Sequence, residues 1–165
     1  MKHALAIGIL GLGLVANTAA AQTADEQARI LGDFQRNVVD YTQRHKCLNM
    51  FPEVISAATP APKVFTLPVA MVFRQLIART LAAPNGAAIS GPRATHHAVV
   101  LQPFPGSELF DFPSTLSAAL PPLPAPLEYR WISDDLVIRD AEADVIIAVL
   151  RGALSTLTTD HARDE

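Results

Sequence analysis

The stretch Leu127-Glu128-Tyr129-Arg130-Trp131-Ile132-Ser133-Asp134-Asp135-Leu136-Val137-Ile138-Arg139 decides the fold. Two runs of β-branched, aromatic and aliphatic residues flank three polar turn-formers, Ser133-Asp134-Asp135, and this arrangement predicts a β-hairpin. A second acidic turn, Asp140 to Asp144, leads into Val145-Ile146-Ile147-Ala148-Val149-Leu150. Such a short apolar run is a buried strand or a piece of buried helix, and periodicity does not separate the two. Its β-branching and the two turns before it favour a third strand. Residues 127-150 therefore read as a β module.

Upstream of the module the chain is punctuated by proline. Ala98 to Leu101 is a short apolar run with strand character, ended by Pro103 and Pro105. A short helical segment is expected over Pro113 to Leu120. Pro121-Pro122-Leu123-Pro124-Ala125-Pro126 has few free amides and favours an extended, stiff backbone.

The first half is helical. Thr23-Ala24-Asp25-Glu26 fits a capping box, with Thr23 serving an orphan amide and Glu26 reaching back. Leu31, Phe34, Val38, Tyr41, His45 and Leu48 follow at steps of three and four and mark one apolar stripe. Asp25, Arg29, Asp33, Arg36, Asp40 and Arg44 interleave charge on the other side. An amphipathic helix is expected over 23-50, ended by Pro52. A second is expected over 67-83, with Thr66 as cap, Pro68 in the first turn and Pro84-Asn85-Gly86 as the stop. Its apolar arc is Val69, Val72, Phe73, Leu76, Ile77 and Leu81. The fold class is thus α+β, with two N-terminal amphipathic helices packed on a small antiparallel β-meander.

Ahead of the first helix lies a segment of a different kind. Met1-Lys2-His3 is a short basic head, Ala4 to Ala16 carries no charge and no proline, and Ala19-Ala20-Ala21 offers a small-residue cleavage site. The 13 uncharged residues are short of the roughly 20 that a membrane span requires. Residues 1-21 therefore read as a secretory signal peptide cut between Ala21 and Gln22, with a cut after Ala20 as the alternative. No cysteine stands at the cut, which disfavours a lipid anchor. An exported product, periplasmic or secreted, is expected, with no membrane attachment after cleavage. Of 165 residues, 144 would remain, suited to a single small domain over 22-165.

Charge and cysteine usage narrow the function classes. The net charge of −3 becomes −4 once Lys2 is removed, and no basic stretch stands out, so nucleic acid is not an expected partner. Asp134 to Glu165 holds eight acids against three arginines, which reads as a solvated acidic end. Cys47 is the one cysteine, so no intrachain disulfide supports the domain and burial must hold it together.

The residues that carry chemistry form no recognised pattern. His45 and Cys47 stand two apart on a helix and point in different directions, so they do not close on one ion. His45 reads as a core histidine and Cys47 as an exposed thiol. His96 and His97 are the weak metal candidates, each needing a distant carboxylate as partner. Glu108, Asp111, Glu128, Asp134 and Asp135 are carboxylates whose convergence their spacing does not predict. Ser90-Gly91 and Gly106-Ser107 are turn pairs and lack the spaced glycines of a nucleophile elbow. Neither a phosphate-cradling loop nor a paired-cysteine motif occurs, so the sequence assigns no catalytic residue and no cofactor.

The segment Pro113 to Leu150, with its Leu-Pro-Pro-Leu-Pro…Leu-Glu-Tyr-Arg core at Leu120 to Arg130, resembles a signature of an uncharacterised family of small exported bacterial proteins. Phe65-Thr66-Leu67-Pro68-Val69-Ala70-Met71-Val72-Phe73-Arg74 matches a second region of that pattern. The likeness covers about half of the chain after the leader, and it departs from the pattern between Phe51 and Lys63, where the family's chains are longer. It implies a leader, a long helix and a C-terminal β module, and it carries no site residues. Tyr129 to Ile147 is also similar to the β module of periplasmic metal-homeostasis proteins, a likeness of fold.

Three functions follow as expectations. The first is a non-enzymatic periplasmic or secreted protein that binds a protein partner or another component of the cell envelope, through the stiff proline segment and the aromatics Phe104, Phe110 and Phe112, expected to be exposed. The second is a periplasmic metal-binding protein using His96 or His97 with acids of the β module. The third is a small hydrolase.

Overall fold

The computed structural model describes residues 15–49, 63–84, 97–106 and 111–154, with side-chain surroundings for 23–44 in the first of these segments. Among the described residues, three helices and three strands follow in order: α1 (Val15–Asn49), α2 (Leu67–Ala82), α3 (Ser114–Ala119), β1 (Leu127–Ile132), β2 (Asp135–Asp140) and β3 (Val145–Leu150). The class is α+β, as the pattern predicts, with the helices first and an antiparallel β1-β2-β3 meander last. The 145–150 run is a strand.

Helix α1 begins further upstream than the capping box implies. It runs through Ala19-Ala20-Ala21 without a break, so in the uncleaved chain Thr23 is an interior helical residue and the Ala21–Gln22 bond is helical. Alanine is the strongest helix former, and nothing between Val15 and Thr23 stops the helix. Downstream, Phe34, Val38 and Tyr41 are buried as the stripe requires. Arg29 pairs with Glu26 at 2.6 Å and Asp33 at 3.4 Å, while Arg36 pairs with Asp33 and Arg44 with Asp40. Exposed pairs of this kind are screened by solvent and contribute little, so burial holds the helix in place. His45 and Cys47 lie outside the described side chains.

In α2, Val69, Ala70, Val72, Phe73 and Ile77 are buried. Thr66 holds the N-cap position by its backbone alone, its carbonyl accepting from the Ala70 amide at 2.8 Å, and its hydroxyl makes no capping bond. Phe73 joins the layers. Its ring lies 4.8 Å from Phe34 of α1, 5.2 Å from Phe65 in an edge-on contact, and 6.2 Å from Tyr129 of β1. Among the described residues no helix is long and apolar enough to cross a membrane.

The sheet is buried on both sides because its side chains alternate. Leu127, Tyr129, Leu136, Ile138, Ala148 and Leu150 join the cluster built with the helices. Ile132, Val137 and Ile146 form a second cluster with Ala98 and Phe104. The hairpin turn is Ser133-Asp134 alone, because Asp135 already pairs with Ile132. Ser133 takes φ 54°, the positive value that two-residue hairpins require. Similarly, Asp140 closes β2 and its carboxylate accepts the Glu142 and Ala143 amides, both at 3.0 Å, to shape the next turn.

Ala98 to Leu101 is not a strand. Leu101 adopts φ 65°, which breaks the extended path, and Pro103 has no amide to continue a ladder. The segment still runs beside β3: the Leu101 amide donates to Ile146 at 2.7 Å, and the Ile146 amide donates to Gln102 at 3.0 Å.

Candidate functional site

The sequence order β1-β2-β3 is also the spatial order, so β1 is an outer strand of the meander. What lies beside it is the proline segment. Pro121 to Pro126 forms a ridge pinned at two points: the Tyr129 hydroxyl donates to the Pro121 carbonyl at 2.8 Å, and the Gln35 amide of α1 donates to the Pro122 carbonyl at 2.8 Å. The Ala125–Pro126 bond is cis. Leu127 then donates its amide to Pro124 at 2.9 Å, which turns the chain into β1.

Between this ridge and the strand lies a groove of about 310 Å³. Phe112 and Ser117 form one wall, Pro121, Pro122 and Leu123 another, and Leu127, Glu128, Tyr129 and Arg130 the third. Consecutive strand residues point to opposite faces, so a groove touching Glu128, Tyr129 and Arg130 in succession runs along the strand's edge. The main chain agrees. Ala141 donates its amide to the Pro126 carbonyl at 3.1 Å, continuing the ladder in which Glu128, Arg130 and Ile132 face β2. By alternation, the main-chain groups of Tyr129 and Trp131 face away from β2, and no described residue pairs with them.

Aromatic rings back the groove. Phe112 stacks on Tyr129 and on Trp131, with ring centroids 5.8 Å apart in both cases. The Trp131 indole N–H is buried and has no partner among the described residues. Burial pushes the Tyr129 phenol well above the ordinary tyrosine range, so it stays a neutral hydrogen-bond donor.

On the sheet's other side the edge carries charge. Arg130 donates to Glu128 at 2.6 Å, Arg139 donates to Glu128 at 2.7 Å, and Arg139 also pairs with Asp144 at 2.6 Å. The Arg139 guanidinium lies 5.2 Å over the Phe104 ring. Phe104 packs with Ala98, Ile132, Val137 and Ile146 and is buried, at 4 % exposure, and not exposed as its proline neighbours suggest. Phe112 is half-buried in its aromatic stack, and Phe110 lies outside the described residues. Of the described aromatics in the expected patch, Phe112 lines the groove and Phe104 packs in the cluster on the sheet's other side.

The remaining candidates fall elsewhere. His97 is exposed, its Nδ1 3.6 Å from the buried Asp135 carboxylate. That carboxylate also accepts the Gly152 amide at 2.8 Å and the Arg151 guanidinium at 3.0 Å, so it anchors the exit of β3. His96, Glu108 and Ser90 lie outside the described residues. Among the described residues no three His, Cys, Asp or Glu side chains come together as metal ligands. Asp140 is likewise committed to structure, accepting from Tyr41 as well as from its own turn. Sequence reasoning missed the edge groove because it is assembled by Tyr129 and Gln35 reaching backbone carbonyls, which no motif encodes.

Comparison with protein-family models, with curated proteins and with solved structures returned no match.

Proposed function

We propose that this is an exported, non-enzymatic binding protein of the periplasm or extracellular space, and that it takes an extended segment of a protein partner in the groove along β1. The observation that carries this reading is the groove itself, where an outward-facing strand edge lies between a pinned proline ridge and a half-buried aromatic. Main-chain groups at such an edge bind an incoming strand, and the pockets beside it select its alternate side chains. A rigid ridge lowers the ordering cost of association, because the wall is already in place. Among the described residues the two buried acids, Asp135 and Asp140, hold turns, which also favours binding over catalysis.

A photo-crosslinking residue at Ser117, inside the groove, tests this in the native compartment, with Gln75 on α2 as control. Heavier adducts from Ser117 and none from Gln75 are expected. Monomer alone from both positions overturns the reading.

A further inference from the structure

We propose that in the free protein a second copy of this chain occupies the β1 edge, paired antiparallel and centred on Tyr129. This rests on the reading of that edge as a binding edge and names its occupant before a partner arrives.

The strand's own sequence supplies the argument. Tyr129 is flanked by Glu128 and Arg130, and beyond them by Leu127 and Trp131. Antiparallel pairing of two copies about Tyr129 sets Glu128 of each opposite Arg130 of the other. On this edge those positions are the non-hydrogen-bonded ones, where facing side chains approach most closely. Both side chains are only partly exposed, at 27 % and 22 %, and already lie within hydrogen-bond reach of each other in one chain. Leu127 of each copy then faces Trp131 of the other.

The main chain fits the same register. Tyr129 and Trp131 direct their amides and carbonyls away from β2, so the two copies of Tyr129 exchange both bonds. Each Trp131 amide meets a Leu127 carbonyl. The Leu127 amide is already held by Pro124 at 2.9 Å, which limits the pairing to the centre of the strand. Neighbouring registers are disfavoured by charge: centring on Arg130 or on Glu128 sets like charges directly opposite. Self-pairing and partner binding are then alternatives for one edge.

Charge reversal tests the register. Arg130→Glu and Glu128→Arg each create two like-charge juxtapositions in the homodimer, whereas a mixture of the two variants restores opposite charges at both. Sedimentation of the mature protein between about 1 μM and 1 mM should show a monomer–dimer equilibrium. Each variant alone should weaken it about tenfold or more, and the equimolar mixture should recover a heterodimer. Arg130→Glu leaves the Glu128–Arg139 pair intact, so its circular dichroism should match the parent.

Amide exchange adds a reading free of mutation: the Tyr129 and Trp131 amides should gain protection as concentration rises. A parent that stays monomeric throughout, or variants that dimerise as well as the parent, overturns the proposal. If a Ser117 crosslinker still captures a partner in that case, self-pairing fails and the binding function stands.

Discussion

The Tyr41 hydroxyl of α1 donates to the buried Asp140 carboxylate at the end of β2 at 3.1 Å, across 99 residues of sequence. This bond ties the longest helix to the turn that launches β3. Hydrogen bonds to charged groups contribute about 1.5–3 kcal/mol, so Tyr41→Phe should lower unfolding stability by roughly that amount. Asp140→Ala also strips the acceptor from the Glu142 and Ala143 amides and should cost more. Urea titration of both variants checks the order; equal losses, or none, contradict it.

Alkaline pH should unfold the protein through its tyrosines. Tyr41 is pushed up by burial and by the neighbouring Asp140 charge, and Tyr129 by burial. The folded state therefore keeps both protons after the unfolded chain begins to lose them near pH 10. Stability is intact below that pH and falls above it, by up to about 1.4 kcal/mol per pH unit for a fully retained proton. Tyr41 and Tyr129 are the only tyrosines, so tyrosinate absorbance should rise together with loss of circular dichroism. A tyrosinate transition near pH 10 in a folded protein refutes this.

Asp135 should matter far more than its ion-pair partner. It is 2 % exposed and accepts the Gly152 amide, whereas Arg151 is 56 % exposed. Asp135→Ala leaves that amide without its acceptor and should cost about 2–4 kcal/mol, while Arg151→Ala should cost under about 1. Thermal unfolding of the two variants tests the asymmetry.

Trp131 is the sole tryptophan and reports on the groove directly. Stacked on Phe112, it should emit at short wavelength in the folded protein. Phe112→Ala opens that side to water and should shift the emission to the red while circular dichroism is retained. An unchanged spectrum contradicts the stack.

Much of this fold is legible in the residues. The hairpin, the apolar arc of α2 and the short helix after Pro113 each follow from local chemistry, and the structure has them within a residue or two. The illegible parts depend on distance or on single dihedrals. Nothing local indicates that Leu101 turns to φ 65° and removes a strand, or that Phe104 packs under the sheet against Ile132, Val137 and Ile146. The groove was invisible for the same reason: Gln35 and Tyr129 reach the ridge from elements far away in sequence or on the opposite side of a turn. The start of α1 differs because a run of alanines obeys helix propensity, whichever side of a cleavage site it lies on. If the leader is removed as its pattern predicts, intact-mass measurement of the exported form should find Gln22 first, and a retained Met1 excludes export by cleavage.

The most direct test of the account is the paired crosslinking experiment in the native compartment. A probe at Ser117 should yield adducts heavier than the monomer, while a probe at Gln75 yields none. Adducts that are equal at the two positions, or monomer alone at both, contradict the assignment of the β1 groove as the binding site.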